Sequence, residues 1–177
     1  MSNTDWNVKE SRTEYGTGWY DGGYDEVEQP DGTTKRYYWA ELPDAVTVVA
    51  EYEGDVIFVE QYRPTVRETH LELVAGIVED GEGYEEAAVR ELREETGFVA
   101  DEARVLQEFR VATGVLRHTR AAVYVDVEER GEPSLDDNEF LSVRRVHADN
   151  ALDVARDAPA NDATLEGLLL AREDGYL

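Results

Sequence analysis

The sequence predicts an α/β domain spanning 45–177, preceded by an N-terminal β extension over 1–44. Three observations carry this. Two β-branched apolar runs, Ala45–Ala50 and Asp55–Glu60, flank a Glu53-Gly54-Asp55 turn. The stretch from Gly76 to Phe98 reads as a glycine-punctuated loop followed by a helix. Strand-like and helix-like stretches then follow in mixed order with no internal repeat, the pattern of an α/β layer architecture. At 177 residues and 20.0 kDa, one domain with a substantial core is the expectation.

The elements follow in order. Trp19–Tyr24 and Arg36–Glu41 are rich in aromatics and bracket the turn-like Gln29-Pro30-Asp31-Gly32, which predicts an N-terminal hairpin. The hairpin either packs over a partner subunit or closes its own sheet. After the strand pair around Gly54, Ile77–Gly83 is read as a loop and Tyr84–Thr96 as a helix, stopped by Gly97. Further strands are expected at Ala103–Val111, Arg120–Val127 and Leu141–Val146, with Gly131-Glu132-Pro133-Ser134 as a loop. Asp149–Arg156 suits a short helix. Asn161 or Asp162 caps a last helix that sets Leu165, Leu168 and Leu169 on one face.

Composition narrows the function. Hydrophobic residues make up 41 %, a globular value. Met1-Ser2-Asn3-Thr4-Asp5 is no apolar leader and no long apolar run follows, so neither a signal peptide nor a membrane span is expected, and a cytoplasmic location is. With no cysteine, disulfide and thiolate chemistry are excluded. The formal net charge of −24 argues against nucleic-acid binding, which needs a basic face. Among 17 basic residues only Lys9 and Lys35 are lysines. An acidic, lysine-poor surface whose self-repulsion needs screening resembles proteins of salt-in halophilic archaea.

The chemistry concentrates in Arg90-Glu91-Leu92-Arg93-Glu94-Glu95-Thr96-Gly97. Spacings of three and four bring Glu91, Glu94 and Glu95 onto adjoining parts of one helix face. Like charges so placed cost a bare helix roughly 0.2–0.5 kcal/mol per pair. A cation offsets that cost, and carboxylate oxygens suit a hard divalent ion, Mg2+ or Mn2+, shared with substrate phosphates. The alternative is a solvated acidic helix in an acidic chain. Arg90 is spaced to pair with Glu86 or Glu94.

The segment resembles the Nudix box, G-x5-E-x7-R-E-U-x-E-E-x-G-U with U a bulky apolar residue. Gly76, Glu82, Arg90, Glu91, Leu92, Glu94, Glu95, Gly97 and Phe98 fill its fixed positions. The likeness extends from about Ala45 to Val146. It implies an α/β/α sandwich around a mixed sheet, and hydrolysis of the pyrophosphate bridge in a nucleoside diphosphate linked to another moiety. Upstream, Gln61-Tyr62-Arg63-Pro64 and Glu72-Leu73-Val74-Ala75-Gly76 resemble the Q-Y-R and E-L-x-A-G elements of ADP-ribose pyrophosphatases.

The resemblance assigns roles. Glu91, Glu94 and Glu95, with the Ala75 carbonyl, are the expected metal ligands, and Arg90 orients Glu94. Glu82 is expected to anchor the loop or reach back to the helix. Glu139, in the acidic run Asp136-Asp137-Asn138-Glu139, is the expected general base. Arg63 has the fork geometry suited to phosphate, with Arg67 and Gly114 as further substrate contacts. An arginine paired with a nearby carboxylate is the alternative for Arg63. The family usually carries Pro-Gly where Thr113-Gly114 stands here, and an acidic pair where Arg117-His118 follows. That departure bears on ADP-ribose as the substrate, not on the hydrolase class. His118 is read as a loop histidine. A homodimer with a small nucleotide substrate completes the expectation, against a runner-up that cleaves another nucleotide sugar or a dinucleoside polyphosphate, and a non-catalytic sensor of ADP-ribose.

Overall fold

Alternation and turn chemistry set the strands. A computed structural model describes residues 6–132, 134 and 140–177. In chain order the strands are β1 (Asn7–Gly16), β2 (Asp21–Glu28), β3 (Thr34–Glu41), β4 (Ala45–Tyr52), β5 (Asp55–Arg63), β6 (Glu68–Ile77), β7 (Phe98–Arg110), β8 (Leu116–Arg117), β9 (Thr119–Arg130) and β10 (Leu141–His147). The helices are α1 (Tyr84–Thr96), α2 (Ala148–Ala155) and α3 (Asp162–Glu173). The chain divides into two compact units, Met1–Asp44 with Arg110–Thr119, and Ala45–Phe109 with Arg120–Leu177.

In the first unit β2 and β3 form the expected hairpin, in register from Asp21↔Glu41 to Glu28↔Thr34. The Asp31 carboxylate accepts from the Thr33 amide at 2.9 Å and so shapes the turn. β1 adds antiparallel to β2, and β8 pairs parallel with β3. The sequence gives no sign of β1, because all ten of its residues are exposed and no apolar alternation marks it. Asp25 gathers three donors: Ser11 Oγ at 2.7 Å, Trp39 Nε1 at 3.1 Å and Arg117 Nη2 at 2.5 Å. Burial opposes its ionisation, but these bonds outweigh it and hold its carboxyl below the usual range. The Arg117 guanidinium also lies 4.0 Å over the Trp39 ring. His118 Nδ1 meets the Pro43 carbonyl oxygen at 2.8 Å, the satisfied loop histidine the sequence suggests.

The second unit is built on a six-stranded mixed sheet ordered β10-β5-β6-β4-β9-β7, with β4 and β9 parallel. Alternation sends Val46, Val48, Ile57 and Val59 to one face, where Ala87, Ala88 and Leu92 of α1 cover them. Val49, Val56, Phe58 and Leu73 face the other way, under Ala151 and Ala155 of α2 and Leu168 and Ala171 of α3. The result is the expected α/β/α sandwich. Among the described residues no helix is long and apolar enough to cross a membrane.

One strand has no counterpart in the sequence reading, and one expectation needs correction. β6 carries no sequence signal, because its charged and polar residues Glu68, His70 and Glu72 break the apolar pattern. On α3 the buried positions are Thr164, Gly167, Leu168 and Ala171, spaced three, four and seven, while Leu169 is 53 % exposed. Leu169 lies a further turn step round the helix from Leu168, so the two do not share a face. Asn161 is the cap, its side chain accepting from the Thr164 amide at 3.0 Å.

Candidate active site

α1 is delimited by two glycines. The Gly83 amide donates to the Glu86 carboxylate at 2.9 Å, which closes the first turn. Gly97 ends the helix in the left-handed conformation at φ 77°, its amide donating to the Arg93 carbonyl at 2.9 Å. Because Glu86 serves the N-terminus, Arg90 is left to the other side of the helix. Its Nε and Nη2 donate to Glu82 Oε1 and Oε2, both at 2.9 Å. Its Nη1 donates to Glu91 at 2.8 Å and to Glu94 at 3.1 Å, and Nη2 also reaches the Ile77 carbonyl at 2.9 Å. Glu82 further accepts from the Glu79 amide at 3.0 Å, so it both anchors the loop and reaches the helix.

This network tunes its members. The Glu82 side-chain bonds raise the Arg90 guanidinium well above its ordinary value, against the opposing effect of burial. The same Arg90 bond holds the Glu82 carboxyl below the usual carboxylate range. Arg90, Glu82, Glu91 and Glu94 together carry two negative charges. Glu91 and Glu95 are 8 % and 5 % exposed, whereas the Glu94 side chain is 44 % exposed.

Gly76 makes room for this arrangement. A Cβ there would sit 1.9 Å from the Glu91 carboxyl carbon, so any larger residue would displace that carboxylate from its place against β6. Ala75, paired with Thr47 of β4, precedes it. Among the described residues no three acidic or histidine side chains converge on one point as a preformed metal cage; the Arg90 guanidinium stands between Glu91 and Glu94 instead. The donor chemistry nonetheless fits a hard cation: oxygen ligands, excess negative charge and a glycine that admits the carboxylate. A cleft of about 970 Å3 runs beside these groups, lined by Arg90, Arg93 and Glu94 of α1, Asp101 of β7, and Glu132 and Ser134. Its volume lies within the range of small-molecule sites. The Ser134 amide donates to the Glu94 carbonyl at 2.9 Å.

The other expected residues separate. Arg63, at the end of β5, places Nε at 2.8 Å and Nη2 at 2.5 Å from one oxygen, Oε2 of Glu72. The carboxylate alternative for Arg63 is thus what its bonds display. Arg67 sits in the β5–β6 turn at φ 63°, its amide donating to the Arg63 carbonyl at 2.8 Å. Gly114 belongs to the first unit, in the turn before β8. Glu139 lies outside the described residues. Sequence reasoning placed Glu72 in the E-L-x-A-G element but gave it no role; it is 3 % exposed. Its signal was a charged residue inside an otherwise apolar Leu71–Ala75 run.

Comparison with known proteins adds to the geometry. A protein-family model described as NUDIX domain matches residues 41–168. ADP-ribose pyrophosphatase of Bacillus subtilis (strain 168) is 35 % identical over 144 residues, covering 78 % of this chain and 77 % of that one. The methanol dehydrogenase activator of Bacillus methanolicus is 32 % identical over 143 residues, with the same coverage of 78 % and 77 %. ADP-sugar pyrophosphatase of Mus musculus is 33 % identical over 132 residues, 64 % of this chain and 61 % of that protein. A crystal structure of an ADP compounds hydrolase superposes with a TM-score of 0.88 at 22 % identity, covering 100 % of each chain.

Proposed function

The chain belongs to the NUDIX domain family, and we propose from that premise that it hydrolyses the pyrophosphate bond of a nucleoside diphosphate linked to another moiety, with ADP-ribose, cleaved to AMP and ribose 5-phosphate, as the first substrate. The observation that carries this reading is the Arg90-centred cluster of Glu82, Glu91 and Glu94 against Gly76. The relatives named for ADP-ribose and ADP-sugar pyrophosphatase activity support the substrate class.

Glu91, Glu94 and Glu95, with the Ala75 carbonyl, would hold Mg2+ or Mn2+, which supplies neutralisation of the pyrophosphate charge and Lewis-acid polarisation at phosphorus. Arg90 holds Glu91 and Glu94 in position. Arg63 offers a fixed cation to a substrate phosphate, with Arg67 as a further contact. Water attacks one phosphorus, the bridging P–O bond breaks, and Glu139 takes the proton from the attacking water.

The rest of the reading is a cytoplasmic homodimer adapted to high salt. The ten exposed residues of β1 form an open sheet edge that a second copy covers. The charge of −24 supports salt adaptation and a halophilic archaeal source. The decisive experiment is a nucleotide screen with Mg2+ at molar KCl, products identified by mass. Release of AMP and ribose 5-phosphate from ADP-ribose is expected. Cleavage of only another nucleotide sugar or a dinucleoside polyphosphate would move the substrate, and binding of ADP-ribose without turnover would leave a sensor.

A further inference from the structure

Glu72 is a buried carboxylate with more partners than a structural ion pair needs. Its side chain is 5 % exposed, whereas that of its arginine partner, Arg63, is 42 % exposed. Oε2 accepts from Arg63 Nε at 2.8 Å, Arg63 Nη2 at 2.5 Å and Gln61 Nε2 at 3.3 Å. Oε1 accepts from Asn161 Nδ2 at 2.9 Å. His70 Nδ1 stands 3.8 Å from Oε1, beyond hydrogen-bonding distance. Burying a carboxylate is costly, and a buried ion pair is weak evidence for stability. What the arrangement does secure is direction. A free arginine samples many rotamers, but two of its nitrogens on one oxygen fix the plane of the guanidinium. Among the described residues Nη1 of Arg63 has no protein partner.

The last helix completes the support. The β4–β6 ladder stops at Val48↔Val74, so the Leu73 amide turns to Thr164 Oγ1 of α3 at 3.0 Å instead. That bond seats the head of α3 beside Glu72. Asn161 then serves two ends at once, its oxygen capping α3 and its nitrogen holding Glu72.

We infer that Glu72 is a positioning residue, whose buried carboxylate, held by Asn161 and Gln61, orients the Arg63 guanidinium so that its unpartnered edge meets a phosphate of the substrate. The inference rests on the hydrolase reading above. Removing the outer partner that orients a metal-site ligand costs about 10–100-fold in affinity or activity, and Glu72 stands in the same relation to Arg63.

The test is a double-mutant cycle in the full-length protein at molar KCl, with melting temperature measured for each variant. Two readouts are taken: KM and kcat for ADP-ribose, and calorimetric binding of α,β-methylene ADP-ribose. Glu72→Gln keeps shape but removes the charge that accepts both arginine donors. It is expected to raise KM and Kd about tenfold with a smaller change in kcat. In an Arg63→Ala background the same substitution is expected to add no further loss. Asn161→Ser keeps an N-cap oxygen but removes the amide donor, and it serves if Glu72→Gln does not fold. A weaker effect of the same kind, about threefold, is expected and is also absent without Arg63. Equal losses in both backgrounds would overturn the inference while leaving the hydrolase reading intact. Unchanged KM and Kd in Arg63→Ala would overturn it as well. A wild-type protein that neither binds the analogue nor cleaves ADP-ribose would overturn the substrate reading first, and the inference with it.

Discussion

The second unit holds two arginine–carboxylate networks of opposite plan. On α1 one cation, Arg90, gathers the carboxylates Glu82, Glu91 and Glu94. On β6 one carboxylate, Glu72, gathers the donors Arg63, Gln61 and Asn161. Each network has one buried carboxylate, Glu91 in the first and Glu72 in the second, and one charge more exposed than the rest: the Glu94 side chain at 44 % in the first, that of Arg63 at 42 % in the second. The exposed charges are opposite in sign. A half-buried network can therefore present one fixed charge outward, and the sign of its centre decides which. For a metal–pyrophosphate substrate, the two signs are the two that are needed.

The sharpest way to break the comparison is to neutralise the outward charge on the helix. Glu94→Gln is expected to lower kcat/KM for ADP-ribose by at least about a hundredfold, with melting temperature unchanged, because the proposed oxygen ligand is lost and no packing. Near-normal turnover would remove Glu94 from the mechanism. The next test addresses the centres. Arg90→Ala leaves three carboxylates facing one another and is expected to destabilise by about 3 kcal/mol in denaturant unfolding. Arg63→Ala is expected to cost less, about 1–2 kcal/mol, since Glu72 keeps its bonds from Asn161 and Gln61. Equal losses would show that the two networks are not built differently.

Acid probes the helix network. Glu82 has a folded pKa below its ordinary value of 4.5, through its Arg90 bond. Its contribution to stability is full above that value and is lost as pH falls below it. A stability–pH curve for Glu82→Gln should therefore converge on the wild type at low pH; parallel curves would contradict the Arg90 linkage. The smallest effect expected is that of bulk salt. At a charge of −24, melting temperature should rise from dilute buffer to molar KCl at fixed pH and Mg2+. A flat profile would leave the hydrolase reading standing and remove the salt adaptation.

These networks were unequally legible in the sequence. α1 could be bounded correctly because Gly83 and Gly97 punctuate it, and the Arg90–Glu94 pair follows from helix spacing alone. The strands of the sheet core declared themselves as continuous Val- and Ile-rich runs around the Gly54 turn. β1 did not, having no buried residue, and β6 did not, because Glu72 sits where an apolar residue would complete the pattern. The partners of Glu72 were beyond reach for a physical reason: the donor Asn161 lies 89 residues further along the chain. Helix spacing predicts contacts within a few residues, whereas that one depends on where β4 parts from β6. The Arg63 alternative, a carboxylate partner, was visible in the sequence, but not which carboxylate. Glu139 lies outside the described residues.

The distance between Glu72 and Asn161 has a consequence for the order in which the chain is made. A ribosome adds roughly 5–20 residues per second. Residues 45–130 supply β4 to β7 and β9 together with α1, yet at that point in synthesis Glu72 has no amide from residue 161 and the Leu73 N–H has no hydroxyl from residue 164. For several seconds the growing chain holds a carboxylate half served and a peptide group unserved, at the place where its sheet is open. Helix α3 follows every strand of this sheet in the chain, so Glu72 gains the Asn161 amide, and Leu73 the Thr164 hydroxyl, only after those strands have been made.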